Sequence, residues 1–296
     1  MLIAGETASG KSDLALAVAE AFGAEIISVD AAAVYRGLDV GSAKPDGTAR
    51  RRVAHHLLDR CEVWEGYNLG RFLADARAAL TAIHAAGRPA VLVGGTGLYA
   101  RALVEGWLPP PPPEPALRAR IRARLGREGA AALWRELGQR APELAARLDP
   151  NDKARVTRAL ERLESGTPAG GRDPARSLLP QLEGYVLTVG AETLAARIRG
   201  RAHAQFAGGI LDETLRALRR GAAPGDPGLG HIGYRAATAH LLGRLTLDEA
   251  IERTIVDTRA LARRQRTLWR RLEWLLPVGP EEAFERIVDA DGRGRR

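Results

Sequence analysis

The first hundred residues alternate short apolar runs with longer stretches whose apolar positions recur at helical spacing. "MLIAG" reads as a short buried strand, and "KSDLALAVAEAF" after it carries the i, i+3, i+4 periodicity of a helix. "AEIISVD" reads as a second strand ending at Asp30. "NLGRFLADARAALTAIHAAG" reads as an amphipathic helix closed by Gly87, "RPAVLVGG" as a third strand and "TGLYARALVEG" as a helix. Strands that alternate with helices predict a parallel sheet covered by helices, with ligands at the carboxyl ends of its strands.

The proline run from Pro109 to Pro115 breaks this pattern and reads as a semi-rigid spacer at a domain border. Helical, arginine-rich sequence fills residues 116 to about 165. "SGTPAGGRDPARS" then reads as a mobile segment, "EGYVLTVG" as a return to strand, and the remainder as mostly helical. The expected organisation is a core of residues 1–112 and 183–296, with basic C-terminal helices, and a small all-helical insertion at 113–182. No internal repeat is visible.

Composition narrows the class. Hydrophobic residues make up 45% of the 296 positions and charged ones 27%, a soluble globular profile. No apolar run approaches the roughly 20 residues that cross a bilayer, and no signal peptide is expected before a motif this close to Met1. One cysteine, Cys61, leaves no internal disulfide, and a reducing cytoplasm is the expected compartment. The net charge of +8 points to an anionic partner such as nucleic acid. A compositional bias explains part of it, because lysine occurs only at Lys11, Lys44 and Lys153 and every other basic residue is arginine.

Gly5, Gly10, Lys11 and Ser12 fit the phosphate-loop pattern G-x-x-x-x-G-K-S/T, in the strand–loop–helix context that the pattern requires. Such a loop turns backbone N–H groups inward and sets a helix N-terminus against an anion. Lys11 adds a point charge, and the Ser12 hydroxyl is a candidate Mg²⁺ ligand. The expected fold class is therefore α/β, a P-loop NTPase-like parallel sheet flanked by helices. Kinases and ATPases with this loop carry a magnesium-binding acid at the end of a strand. Asp30 ends one strand here, and "AVLVGG" ends in glycines. Asp30 reads equally as a turn-capping residue, a magnesium-shell carboxylate or a general base.

The motifs that follow are "AAAVYRGLDVGSAKP", "AHHLLD", "LVGGTGLYARALVEG", "NDKARVTRALE", "GHIGYRAA" and "TRALARRQRTLWRR". Together with "GETASGKS" they resemble, in order and spacing from Leu2 to about Arg271, the tRNA dimethylallyltransferase (tRNA isopentenyltransferase) family. The resemblance implies transfer of a dimethylallyl group from dimethylallyl diphosphate to N6 of adenosine 37 in tRNAs that read codons starting with U. It implies that the loop holds a diphosphate leaving group and that no phosphoryl group moves.

Residue by residue, the resemblance assigns Gly5, Thr7, Ala8, Ser9, Gly10, Lys11, Ser12 and Arg201 to the diphosphate, with Ser12 helping to bind Mg²⁺. It makes Asp30 the general base, Thr96 its neighbour at the reacting adenine and Arg201 an arginine aimed at the leaving group. Without the family, Arg201 would default to a solvated helix arginine and Thr96 to a helix N-cap. The implied tRNA contacts are Asp30, Ala31, Ala32, Ala33, Thr96, Arg118, Ala154, Arg155, Val156, Thr157, Arg158, Gly230, His231, Ile232, Gly233, Tyr234 and Arg235. Arg259, Arg263, Arg264, Arg266, Arg270 and Arg271 form a further basic cluster, and a monomer is expected.

Three departures stand out. Ala31 and Ala33 occupy positions where the family has serine and often glutamine. Glu6 replaces a loop proline and is expected to point outward, and Ala236 stands where a polar residue is usual. His55 and His56 read as structural residues, and Trp269 and Trp274 as core anchors. The competing classes are a small-molecule kinase, a nucleic-acid-binding ATPase and an adenylate isopentenyltransferase. The first leaves "LVGGTGLY" unexplained, the second lacks coupling motifs, and the helical insertion and basic tail favour a macromolecular acceptor over free nucleotides.

Overall fold

The computed structural model describes residues 1–180, 182 and 184–294. Along the chain run β1 (Leu2–Gly5), α1 (Lys11–Phe22), β2 (Glu25–Ser28), α2 (Gly47–Arg52), β3 (His55–His56), α3 (Leu69–Ala85), β4 (Ala90–Gly94) and α4 (Gly97–Glu105). Next come β5 (Trp107–Leu108), α5 (Pro115–Glu128), α6 (Ala130–Arg140), α7 (Pro142–Ala145), α8 (Lys153–Ser165) and β6 (Gly171–Arg172). The last elements are β7 (Gly184–Leu187), α9 (Ala191–Ala207), α10 (Ile210–Arg219), α11 (Tyr234–Leu241), α12 (Leu247–Trp269), β8 (Leu275–Val278) and α13 (Ala283–Gly294). They divide into two units: Met1–Glu105 with the described part of Arg176–Arg296, and Gly106–Ala175.

The first unit is built on a six-stranded sheet in the order β3-β2-β4-β1-β7-β8, every pairing parallel. Central strands buried on both faces need continuous apolar sequence, which "LIAG" and "EIIS" supply. One face packs Ile3, Ile26, Val91 and Tyr185 against Ala15 and Val18 of α1 and Ile287 of α13. The other packs Leu2, Ile27 and Leu92 against Phe72 and Ile83 of α3 and Leu103 of α4. Phe72 and Tyr99 stack at 4.1 Å between ring centres. Trp269 is buried in this second cluster and Trp274 packs at its margin, so both serve as anchors.

The strand order positions the site. Ala4 pairs with Gly94 and Ser28 with Val93, which sets the carboxyl ends of β1, β4 and β2 side by side. Gly94 permits this approach, because a Cβ there would lie 2.0 Å from the Val29 carbonyl oxygen. The Val29 N–H donates to Val93 O and the Thr96 N–H donates back to Val29 O.

Two strands of this sheet were not expected from the sequence. β8, "LLPV", lies at one edge, where Pro277 costs no interior ladder bond. β3 is the His55–His56 pair at the other edge. The His56 ring bonds Glu25 at 2.6 Å and the His55 ring bonds Val53 O at 2.8 Å, so both histidines are structural.

In the second unit, Ile121, Leu133, Leu137, Val156 and Leu160 form a core among α5, α6 and α8. Its borders differ from the expected 113–182. Trp107–Leu108 pairs antiparallel with Gly171–Arg172, which draws the proline run inside the unit and makes part of the segment read as mobile a strand. Beyond it, Ser177 and Leu178 both donate to Leu103 O in the first unit's own α4. The expected boundary residue Glu183 lies outside the described residues, as do Arg295 and Arg296.

Candidate active site

The loop between β1 and α1 takes its shape from two left-handed residues, Ala8 at φ 64° and Gly10 at φ 97°. Ser9 N–H donates to Glu6 O across the turn. Lys11 crosses back over it, donating from Nζ to Glu6 O at 3.1 Å. Two arginines one helical turn apart on α9 reach the same loop: Arg197 donates to Ser9 O at 3.0 Å and Arg201 to Thr7 Oγ1 at 3.3 Å. The expected phosphate residues Gly5, Thr7, Ala8, Ser9, Gly10, Lys11 and Ser12 are thus one structural piece with Arg201. Arg197 is an additional member that the "RIRGR" stretch did not single out.

Asp30 follows β2 by two residues. Its Oδ1 accepts the N–H groups of Ala32 and Ala33 at 2.7 and 3.3 Å, a side-chain turn that fixes the carboxylate. The capping reading of Asp30 is therefore correct for one oxygen. Among the described residues Oδ2 makes no hydrogen bond, and it is the atom free for chemistry. Thr96 stands at the end of the neighbouring strand, where Oγ1 accepts the Ala31 N–H at 3.2 Å. Its carbonyl, rather than its hydroxyl, takes up the first N–H groups of α4, so the side-chain cap does not form.

These groups share one electrostatic field. Burial lowers the Lys11 ammonium to a pKa of about 8, with Arg201 pushing the same way and Asp30 and Glu6 opposing. Burial also lowers Arg201 and His231, and in each case Asp30 opposes the shift. Two half-buried cations beside one carboxylate form a cradle short of negative charge. Lys11, Asp30, Ala33 and Arg201 line a cavity of about 1130 Å³, and a second of about 420 Å³ is lined by Asp30, Ala31, Thr96, Gly230, His231 and Ile232. Thr7, Asp30, Arg201 and Gln265 line both.

Glu6 corrects an expectation. It does not point outward: it is 4% exposed, and both carboxylate oxygens pair with the Arg266 guanidinium on α12. The ion-pair partner of this carboxylate under the anion loop lies 260 residues later. Beside Arg266, the buried Gln265 accepts the Thr7 N–H at 2.8 Å and donates to Gly95 O at 2.9 Å. Sequence reasoning missed both contacts. Gly95 carries the available signal, since a Cβ there would stand 2.3 Å from Gln265 Nε2.

A family model described as IPP transferase matches residues 33–272. A tRNA dimethylallyltransferase of Anaeromyxobacter dehalogenans (strain 2CP-C) is 44% identical over 98% of both chains. The chain belongs to the IPP transferase family. Among solved structures, the tRNA isopentenylpyrophosphate transferase of Bacillus halodurans matches with a TM-score of 0.70 at 30% identity, over 98% of this chain and 94% of that one. A eukaryotic dimethylallyltransferase acting on tRNA matches with a TM-score of 0.74 at 22% identity, over 100% of this chain and 79% of that one, and carries the fold alone. The sheet and loop are those of the P-loop NTPase-like fold shared by these IPP transferases.

Within this IPP transferase the residues expected to contact RNA fall into distinct settings. Asp30, Ala31, Ala32, Thr96, Gly230, His231 and Ile232 line the smaller cavity. His231 packs against Tyr35 at 5.4 Å between ring centres. Tyr234 is not among them: it is buried, its hydroxyl donates to Glu213 at 2.6 Å and accepts the Gly41 N–H at 2.9 Å. Arg235 is exposed and pairs with Asp257. In the second unit, Val156 is a core residue and Thr157 turns its hydroxyl onto Lys153 O, which leaves Ala154, Arg155 and Arg158 as the outward members of that run. Arg118 and Arg158 both pair with the buried Glu161.

Proposed function

We propose that this chain transfers a dimethylallyl group from dimethylallyl diphosphate to N6 of adenosine 37 in tRNAs that read codons starting with U, giving N6-isopentenyladenosine and diphosphate. The observation that carries the reading is the position of Asp30. It faces the same cavity as Lys11 and Arg201, while the N–H of the next residue, Ala31, is tied to Thr96 beside the second cavity, which Asp30 also lines. A phosphate loop thus stands next to a fixed carboxylate with one oxygen free.

The residues divide the chemistry. Gly5 to Ser12 with Lys11 and Arg201 bind the diphosphate and offset charge as the allylic C1–O bond breaks. The adenine amine becomes acidic as its bond to C1 forms, and Asp30 Oδ2 takes the proton. Thr96 and His231 border the adenine, with Ala31, Ala32 and the Gly230–Ile232 backbone. Because Ala31 and Ala33 lack hydrogen-bonding side chains, base recognition here falls to main-chain groups and to the side chains of Asp30 and Thr96.

Mg²⁺ fits this donor set. No cluster of three or more acidic, histidine or cysteine side chains able to hold a metal exists among the described residues, so the ion would be held by Ser12 and by diphosphate oxygens, the sparse protein ligation usual for this cation. When bound it would neutralise the leaving group.

Arg263, Arg264, Arg270 and Arg271 make no side-chain hydrogen bond or ion pair among the described residues, and they supply the grip on the RNA backbone together with Arg118, Arg155 and Arg158 of the second unit. Extrusion of a loop adenine costs about a few kcal/mol. The enzyme acts as a cytoplasmic monomer. No described helix is long and apolar enough to cross a membrane.

Incubation with radiolabelled dimethylallyl diphosphate and unmodified tRNA, AMP or no acceptor tests the reading. Label is expected on tRNA, at adenosine 37 after nuclease digestion. Label on AMP and none on tRNA would replace the acceptor, and ATP hydrolysis with no use of the prenyl donor would replace the reaction.

A further inference from the structure

Two consecutive residues of α12 are pinned to two consecutive residues of the phosphate loop. Gln265 holds the Thr7 N–H and Arg266 holds the Glu6 carboxylate. The two pins differ in kind. Arg266 adds a donation to Val189 O, two residues beyond the carboxyl end of β7, and so fastens the loop to the segment after that strand. Gln265 is 8% exposed and uses both ends of its amide: Oε1 on Thr7 N–H and Nε2 on Gly95 O. Only one orientation of the amide satisfies both, because the reverse sets a donor against a donor and an acceptor against an acceptor.

The second partner gives the contact its meaning. Gly95 is followed by Thr96, whose hydroxyl holds the Ala31 N–H next to Asp30. One side chain therefore spans from the segment that faces the leaving group to the turn that supports the base. The fit is close from both sides, since any residue larger than glycine at position 95 would collide with the amide. Gln265 also lines both cavities.

We infer that Gln265 is a positioning residue for the transfer, with the Glu6–Arg266 pair as its second pin. It fixes the separation between the departing diphosphate and the amine that Asp30 serves. The inference rests on the transfer reaction set out above. It follows from the demands of an in-line displacement, in which an error of about 1 Å between reacting groups can cost about a hundredfold in rate. The same helix carries Arg263 and Arg264, both without a side-chain partner among the described residues, so a seated acceptor and the loop are joined through one rigid element.

The experiment compares full-length wild type with Gln265→Met and Gln265→Glu. Turnover is measured at saturating dimethylallyl diphosphate and tRNA, binding of inorganic diphosphate by calorimetry, and folding by thermal melting. Methionine keeps the volume and removes both hydrogen bonds. Its turnover is expected to fall at least tenfold at a temperature where it is fully folded, while diphosphate affinity changes less than about threefold because Lys11 and Arg201 remain. Glutamate keeps an acceptor for Thr7 N–H and is expected to recover part of the turnover.

A folded methionine variant with wild-type turnover and only a lower melting temperature would overturn the inference. So would glutamate and methionine variants that lose turnover equally. If Gln265→Met does not fold, Glu6→Gln decides at the second pin: reduced turnover with retained diphosphate binding supports the inference, and unchanged turnover refutes it. Wild type that transfers nothing to tRNA would sink the functional reading itself, and this inference with it.

Discussion

Thr96 accepts the backbone N–H of Ala31 at 3.2 Å, one residue beyond Asp30. The bond joins the ends of two adjacent strands and leaves the threonine hydroxyl proton free to donate towards a bound base. Thr96→Val keeps the shape and leaves the Ala31 N–H without a partner, a cost of about 1–3 kcal/mol. If that cost appears mainly in the transition state, kcat falls about tenfold to a hundredfold. Thr96→Ser is expected to retain most activity. Steady-state kinetics beside thermal melts check this, and a lower melting temperature with unchanged kcat would make Thr96 a structural residue only.

Asp30 has two tasks that one substitution separates. Asparagine retains Oδ1 as acceptor for the Ala32 and Ala33 N–H groups but cannot take a proton at this pH. Asp30→Asn is expected to melt near the wild-type temperature, bind tRNA within about threefold and lose transfer by a factor of about 10² to 10⁴. Asp30→Ala, which also removes the turn, is expected to abolish transfer and to be less stable than Asp30→Asn. Weakened tRNA binding with normal turnover at saturation would remove the base assignment.

Local features were legible in the sequence, and long-range pairings were not. β1, the phosphate loop, α1, β2, β4 and α3 follow from runs and periodicities that lie within twenty residues. Asn68 caps α3 by accepting the Arg71 N–H, and Gly87 closes it at φ 67°. β8 carries a proline, which argues against a strand, and β3 is a pair of histidines. Glu6 and Gln265 were unreadable for another reason. Their roles are set by partners some 260 residues away, and nothing local distinguishes a buried glutamate from a solvated one. Tyr234, Val156 and Thr157 illustrate the same limit. A motif brings them to the site in sequence, yet helical geometry turns their side chains into a core.

Lys11 makes the site sensitive to pH in a direction that can be worked out. Its pKa in the free protein is about 8, lowered chiefly by burial, against an ordinary value near 10.4. Between those values the folded protein holds it neutral while the unfolded chain holds it charged. The penalty for a buried charge is therefore present below about pH 8 and relieved as pH rises through that window. Diphosphate favours the charged form, so binding near pH 8.5 should take up about three quarters of a proton at Lys11. Calorimetry in two buffers of different ionisation enthalpy measures that uptake, and Lys11→Arg should eliminate it. Zero uptake in wild type would mean that Lys11 is already fully protonated.

Tyr234 and Glu213 form a buried pair that holds a loop. Glu213 also accepts the N–H groups of Asp39 and Val40 at 2.9 and 2.8 Å, and Tyr234 holds Gly41. Tyr234→Phe removes two hydrogen bonds, one donated to a buried carboxylate and one accepted from the Gly41 N–H, and is expected to cost about 1–3 kcal/mol of stability. Affinity for tRNA should stay within about twofold at temperatures where the variant is folded. A large loss of affinity with an unchanged melting temperature would instead make Tyr234 an RNA contact.

The arginines of α12 and of the turn that follows it divide into committed and free ones, and salt should tell them apart. Arg266 is occupied by Glu6, whereas Arg263, Arg264, Arg270 and Arg271 have no partner among the described residues and remain available to phosphates. Each single-strand phosphate neutralised contributes a slope of about −0.7 to log K against log salt. Replacing one free arginine by glutamine should weaken tRNA binding and flatten the slope by about that amount. Arg266→Gln should leave the slope unchanged and lower stability, because it strands the Glu6 charge under the phosphate loop. Binding titrations between about 50 and 200 mM salt measure both effects. A wild-type affinity that does not move with salt would rule out α12 as the surface that grips the RNA backbone.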